Sequence, residues 1–236
     1  MKMIRTNARV VLAMSALVLT SGLYTGPAQH PQVELIDTGG LFVTAFGAAS
    51  PGIDGTARYK IDAHQSHFMV KAFAGGLLSA FAHDHNISIP DFSGEAQFTY
   101  GTFEPASLRL TVKANSLVVT DKVSEKDKNE IENTMRKQVL EVEKYPEIVF
   151  TSTSVSASKV DEGKYQVKIN GELSLHGATH AVVVNARVEL SANSLHAHGE
   201  IPLRQTNYGI KPVSAAGGTI KVKDDVKLTF NIVAHS

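Results

Sequence analysis

From Tyr59 to the C-terminus the chain alternates apolar and polar residues, the period-2 pattern of β-strands with one buried face. In the segment SLRLTVKA (107–114), Leu108, Leu110 and Val112 fall on one face and polar residues on the other. Similar alternation predicts strands at 66–73, 94–100, 148–155, 165–175, 181–190, 195–203 and 226–232. About eight to ten short strands separated by turn residues indicate an all-β sandwich or barrel.

One segment, from Ser124 to Pro146, breaks this alternation. Ser124 followed three residues later by Asp127 resembles a capping box, and Pro146 stops whatever precedes it. At about 100° per residue, Leu140 points away from the other apolar side chains of the segment. Those side chains share one narrow arc: Ile131, Met135, Val139 and Val142. The pattern predicts one amphipathic helix lying against the β domain, with the helix fraying near Leu140 or pressing a second side against its surroundings.

The inner face of such a domain is almost wholly apolar. A closed antiparallel barrel of eight strands can enclose one small or elongated ligand. Core packing explains the same alternation without a ligand, so the pattern alone favours a filled core. The predicted inward residues are Phe68, Val70, Phe98, Leu110, Val112, Phe150, Val167, Leu173, Leu175, Phe230 and Ile232.

The N-terminal segment resembles an export signal. Basic Lys2, Arg5 and Arg9 precede the apolar run 10–20, and small residues follow at 21–28. The run is about half the ~20 residues that a membrane span needs, so we expect a cleaved signal peptide at 1–28; a retained anchor is the alternative. Residues 29–57 read as a linker or flexible arm and 58–236 as the folded domain. We therefore expect a periplasmic or secreted protein.

Composition excludes several functional classes. Lys+Arg and Asp+Glu both number 23, and no basic cluster with interleaved aromatic residues occurs, so nucleic acid is not an expected partner. The absence of cysteine excludes disulfides, thiolate catalysis and cysteine metal sites. Stability must come from packing.

Five segments, in order, resemble the YceI-like family of polyisoprenoid-binding proteins: YKID (59–62), SHFMVK (66–71), FSGEAQF (92–98), YPEIVFTST (145–153) and GELSLHGAT (171–179). The last contains LSLHGAT, which looks like the family's L-T-x-x-G-V-T signature. The resemblance covers about residues 58–235. It implies an antiparallel lipocalin-like β-barrel of about eight strands with one helix, commonly exported, that holds a long isoprenoid or other lipid in its apolar interior.

The resemblance also suggests which residues line the pocket. Alternating apolar positions on family-like strands nominate Phe68, Val70, Phe98, Leu110, Phe150, Leu173, Leu175 and Phe230, and the helix contributes Met135 and Val139 as a lid. We expect a lipid as the ligand, no other cofactor and no catalytic residues. Transient membrane contact and a homodimer are compatible with this interpretation.

One departure from the family lies after the second predicted strand. Many members carry a His-x-Gly step there, whereas this chain has AFAGGLL (72–78). We expect one helical turn over 75–81 that presents Leu77, Leu78 and Phe81. Ligand contacts near the family's histidine are not transferred.

Histidines support an alternative interpretation as a metal-dependent enzyme. His83 and His85 share a face of an extended strand, and with His64 and His67 they would form a cluster at the barrel rim. His196 and His198 fall on a polar face and are expected to face solvent, while Ser174 and His176 lack an evident partner acid. No nucleophile elbow or H-E-x-x-H motif occurs, so we favour a binding protein without a metal site. A ligand-free envelope stress or interaction protein is the third alternative.

Overall fold

The computed structural model describes residues 55–77 and 83–236, so the predicted signal peptide, most of the predicted arm and most of the predicted turn over 75–81 lie outside the described residues. In chain order the strands are β1 (Thr56–Ile61), β2 (His67–Gly75), β3 (His85–Ser88), β4 (Phe92–Thr99), β5 (Ala106–Lys113), β6 (Val118–Val119), β7 (Glu147–Asp161), β8 (Lys164–Leu175), β9 (Ala178–Leu190), β10 (Ser194–Arg204), β11 (Ser214–Ala215) and β12 (Ile220–His235). The helix α1 spans Glu125–Thr134 and continues as a π-helical turn over Met135–Val139. Short 3₁₀ turns lie at Ala114–Ser116, Gln205–Tyr208 and Ala216–Gly218.

Eight antiparallel strands form a closed barrel in the order β1-β4-β5-β7-β8-β9-β10-β12. Pairing of Ile61 with Ala234 joins β1 back to β12. Closure removes the exposed sheet edges that would otherwise invite aggregation. The predicted all-β antiparallel barrel of about eight strands with one helix is confirmed.

The long strand β12 has two neighbours on one side, β1 and β2, because residues 62–66 between these two strands interrupt the extended conformation. Ser66, in this break, is buried, and its hydroxyl donates to Val233 O (3.1 Å) and accepts from Val233 N (2.9 Å). These bonds satisfy backbone groups that the interrupted ladder leaves unpaired. Beyond the break, β2 pairs with β12, β3 with β2 and β6 with β3, so three short elements extend the sheet beside the helical end.

An aromatic cluster fills the barrel end opposite α1. Phe98 stacks on Tyr59 and Phe103, with ring centroids 5.4 and 5.1 Å apart, and Phe103 contacts Tyr165 at 4.7 Å. The hydroxyls of Tyr59 and Tyr100 form a hydrogen bond, and burial raises the pKa of Tyr59 above its ordinary value. This end of the barrel is therefore sealed by packed rings.

The helical segment departs from regular α-helical geometry before Leu140. Ser124 caps α1 as predicted, accepting a hydrogen bond from Asp127 N (3.1 Å). The following turn is π-helical, however, and Leu140 N donates to Met135 O (2.8 Å), five residues back. The wider turn shifts the register of the following side chains. Leu140 is consequently buried in the core, which agrees with the second predicted alternative, a helix that presses a second side against its surroundings.

The observed ends of several strands also differ from those that the apolar–polar alternation predicts. β7 and β12 are longer than predicted, because ladder hydrogen bonds continue through stretches with few apolar residues. The short strands β3, β6 and β11 carry too few residues for a periodic signal, and β1 begins at Thr56, two residues before the expected domain start. Among the described helices, none combines the length and apolar character that a membrane span requires.

Candidate functional site: an apolar cavity in the barrel

The barrel encloses a cavity of about 640 Å³. This volume lies within the range of about 300 to 1,000 Å³ typical of small-molecule sites. All eight barrel strands and α1 contribute to its wall, and nearly all the lining residues are apolar. The interior is therefore not the filled core that alternation alone favours.

All ten residues nominated from the sequence line this cavity: Phe68, Val70, Phe98, Leu110, Met135, Val139, Phe150, Leu173, Leu175 and Phe230. The four phenylalanines and Met135 are buried, and the others are half-buried against the open space. The structure therefore places them together on one surface. Their contact with a ligand stays a prediction.

Two glycines help to keep the interior open by letting phenylalanine rings lie against the wall. A Cβ atom added at Gly171 would come within 2.4 Å of Phe150 Cζ, and one at Gly199 within 2.6 Å of Phe230 Cζ. Such distances are far below van der Waals contact, so no larger residue fits beneath these rings. Each ring is thus accommodated in space that a side chain on the neighbouring strand would otherwise occupy.

Polar side chains of the lining are few. Gln97 and Ser107 lie opposite each other on β4 and β5, and the other polar residues lie at the helical end, where α1 meets the barrel: His85, Asp127, Glu130, Thr134 and Gln205. Among the described lining residues there is no lysine or arginine. The wall thus offers an apolar interior and a small polar mouth that carries two carboxylates and no fixed positive charge.

The side chain of His85 is held in place by Asp121. His85 Nδ1 donates to Asp121 Oδ2 (2.8 Å), and Asp121 Oδ1 accepts from Asn86 N and Asn86 Nδ2 (both 3.0 Å). Only 10% of the Asp121 side chain is exposed. Burial acts to raise the pKa of Asp121, but the hydrogen bonds from His85 and Asn86 outweigh it and lower the pKa below the ordinary value.

The four histidines of the metal hypothesis do not meet. His85 pairs with Ala72 and His67 pairs with Asn231, so about five residues of β2, or ~17 Å, separate the two positions. His83 lies next to His85, with ring centroids 5.2 Å apart, but lines a separate polar pocket. Within residues 55–77 and 83–236, no group of three potential ligands is placed to hold a metal ion. The proposed cluster is therefore not formed.

A buried glutamate attaches α1 to the barrel. Glu132 is 7% exposed; its Oε1 accepts from Val119 N (3.0 Å) and its Oε2 pairs with Arg136 Nη2 (3.0 Å). Arg136 also donates to the carbonyls of Asn115 and Leu117. The helix that covers the cavity is thus fixed to β6 and the preceding turn by polar contacts, not only by its apolar face.

A second contact that attaches the helical segment to the barrel is formed by His176 and was not predicted from the sequence. His176 Nδ1 donates to Tyr208 O (3.0 Å), and its Nε2 forms a hydrogen bond with Glu141 Oε2 (2.7 Å). His176 therefore has an acid partner, contrary to expectation, but that partner lies 35 residues away, where no local pattern reveals it. Ser174 bonds Thr179 instead (2.7 Å). The arrangement joins structural elements, and His196 and His198 are exposed as expected.

Comparison with known proteins finds a matching family profile and relatives that are similar in sequence. The family profile described as YceI-like domain matches residues 59–234. A UPF0312 protein of Pseudomonas syringae pv. tomato is 29% identical over 198 residues, covering 80% of this chain and 94% of the relative. A UPF0312 protein of Shewanella baltica is 34% identical over 96 residues, covering 41% of this chain and only 45% of that relative.

A solved structure shares the fold. The polyisoprenoid binding domain from Saccharophagus degradans superposes with a TM-score of 0.54 at 14% identity, covering 75% of this chain and 98% of that one. Since the family profile spans well over half of the 236 residues, from β1 to the end of β12, the chain belongs to the YceI-like family.

Proposed function

We propose that this protein is an exported lipid-binding protein that holds an isoprenoid or similar long apolar chain inside its barrel. The observation that carries the proposal is the cavity of about 640 Å³ with its almost wholly apolar wall. Burial of each CH₂ group contributes about 0.8 kcal/mol, so a long chain gains ample driving force without covalent chemistry. The related fold from Saccharophagus degradans, described as polyisoprenoid-binding, supports the same ligand class.

Binding would serve transport, storage or sequestration and would involve no catalysis. We place the entrance at the helical end, because packed aromatic rings fill the other end. A chain entering there would pass Met135 and Val139, which line the cavity from the helical segment. Export is proposed on the sequence of residues 1–28, and transient membrane contact would accompany lipid exchange.

The test is native mass spectrometry with organic extraction of protein purified from a membrane-containing host. We expect a bound apolar chain in the wild-type protein. Val182 and Val183 provide a matched pair on β9, since Val182 lines the cavity and Val183 is exposed outside. Val182→Trp should displace the chain, whereas Val183→Trp should retain it. Repeated absence of lipid, with no uptake of added isoprenoid, would overturn the proposal.

Export is tested separately by fractionating cells that express the full chain. Recovery of a shortened protein outside the cytoplasm, with its new N-terminus near residue 28, is the expected result. A full-length protein in the cytoplasm would contradict the export proposal and leave lipid binding standing.

A further inference from the structure

His85 lines the cavity and has one ring nitrogen without a hydrogen-bond partner among the described residues. His85 and Ile87 both line the cavity, as alternate residues of β3 should, while Asn86 between them faces the separate polar pocket. Nδ1 is occupied by Asp121. Among the described residues, Nε2 has no hydrogen-bond partner. Since the described residues contain no buried side-chain nitrogen or oxygen that lacks a partner, Nε2 is not fully buried. Nε2 is thus the ring nitrogen left accessible to a ligand.

Asp121 also determines the chemistry of that nitrogen. A carboxylate only accepts hydrogen bonds, so the ring proton of a neutral His85 lies on Nδ1. The lone pair then lies on Nε2, which accepts a hydrogen bond. The Asn86 contacts hold the Asp121 carboxylate in place from the other side. The site is consequently built to offer an acceptor at the edge of an apolar cavity.

The charges at the mouth exclude an anionic ligand end. Asp127 and Glu130 lie on the same lining, and no described lysine or arginine does. The N-terminus of α1, which would otherwise attract an anion, is capped by Ser124; its first turn carries two acidic and two basic residues, of which only Asp127 lines the cavity. A phosphate or carboxylate would therefore meet two carboxylates and no cationic side chain on the lining itself.

We propose that His85 contacts an uncharged polar end of the bound chain, one that carries a hydrogen-bond donor such as a hydroxyl, and that Asp121 is the positioning residue for this contact. The inference rests on the proposed function and names its ligand class: an apolar chain with a neutral, hydroxyl-type end. His83 takes no part, because it does not line the cavity.

The experiment measures displacement of an apolar fluorescent probe from the full chain at pH 8 by three ligands: a long isoprenoid alcohol, the hydrocarbon of the same chain and the corresponding diphosphate. One hydrogen bond should make the alcohol bind about 3- to 10-fold more tightly than the hydrocarbon. His85→Phe should abolish this preference. His83→Phe, the matched control two residues away, should keep the preference.

A measurement on the wild-type protein needs no variant. The ¹⁵N chemical shifts of the His85 ring should show the proton on Nδ1, and the alcohol should shift the Nε2 resonance while the hydrocarbon does not. Asp121→Asn should reduce both the alcohol preference and the Nδ1-protonated population, since an amide holds the tautomer less firmly.

The outcomes separate the two proposals. If neither alcohol nor hydrocarbon binds the wild-type protein, the proposed function fails. If both bind equally, if the diphosphate binds most tightly, or if His85→Phe weakens both neutral ligands alike, lipid binding stands and the role of His85 is overturned. An unmoved Nε2 resonance in the presence of bound alcohol would overturn it as well.

Discussion

Glu141 and His176 are joined by a hydrogen bond of 2.7 Å that fastens the segment after α1 to the turn between β8 and β9. Both residues have left-handed backbone conformations, with φ of 45° and 52°, which non-glycine residues rarely adopt. His176 also donates to Tyr208 O, so one imidazole ties three elements of the helical end together.

Replacing His176 with phenylalanine should therefore loosen the cover of the cavity. Loss of the two hydrogen bonds is expected to lower the free energy of unfolding by about 1 to 3 kcal/mol and to speed release of a bound chain. Urea denaturation and stopped-flow displacement of a fluorescent probe measure the two effects. His198→Phe on the exposed face of β10 is the control. Equal stability of the two variants would mean that the contact contributes little.

The alternation of the sequence was sufficient to identify the inner wall. In a strand the side-chain period is two, so residues such as Leu110 and Leu173 are assigned to a face without knowledge of which strands pair. Whether that face encloses a cavity depends on how far the facing walls stand apart, and this follows from strand number and from ring placements such as Phe150 over Gly171. Those are properties of the closed barrel, not of any one segment.

Two features at the helical end escaped the sequence for different reasons. The π-helical turn before Leu140 changes the angular spacing on which helical assignments depend. The Glu141 to His176 contact joins residues that are distant in sequence and carry no shared periodicity. Conversely, His64, His67, His83 and His85 looked like a cluster because they are close in sequence, whereas the extended strand β2 keeps His67 apart from His85 and its neighbour His83.

Gly199→Ala tests the close approach of Phe230 to the barrel wall. The added methyl group would meet Phe230 Cζ at 2.6 Å and Asn185 O at 2.5 Å, so either the ring or the backbone must move. Overpacking of this kind is expected to cost about 1 to 3 kcal/mol of stability. Chemical denaturation gives the value. Gly55→Ala is the matched control, because nothing lies within 4 Å of a Cβ atom there. A stable Gly199→Ala protein would show that the ring relocates at little cost.

Glu132→Gln tests the attachment of α1 to β6. A glutamine keeps the shape but removes the charge that faces Arg136, and its amide group opposes the guanidinium if it turns the wrong way. Hydrogen bonds to charged groups contribute about 1.5 to 3 kcal/mol, so a loss of this order is expected in thermal or urea unfolding. Glu130→Gln, at an exposed carboxylate of the same helix that lies at the cavity mouth, should change stability by less than about 0.5 kcal/mol. A similar loss in both variants would contradict the special role of Glu132.

Asp121 should make the stability of the protein depend on acidity. Its pKa is lower in the folded protein than the ordinary value of about 3.9, because the hydrogen bonds from His85 and Asn86 outweigh the opposing effect of burial. The unfolded chain therefore takes up a proton at Asp121 more readily than the folded protein does. The contribution is complete above the unfolded pKa and is lost as the pH falls through the folded pKa.

Asp121→Asn should accordingly be less stable than the wild-type protein at pH 6, and the difference should shrink as the pH falls below about 4. Urea unfolding at a series of pH values between 3 and 7 measures it, and Asp225→Asn, at a largely exposed carboxylate, is the control. The same variant weakens the hold on the His85 ring, so the alcohol preference at the mouth should fall even at pH values where the fold is stable. A stability difference that stayed constant across the acid range would mean that the Asp121 carboxylate is not stabilised by its two neighbours.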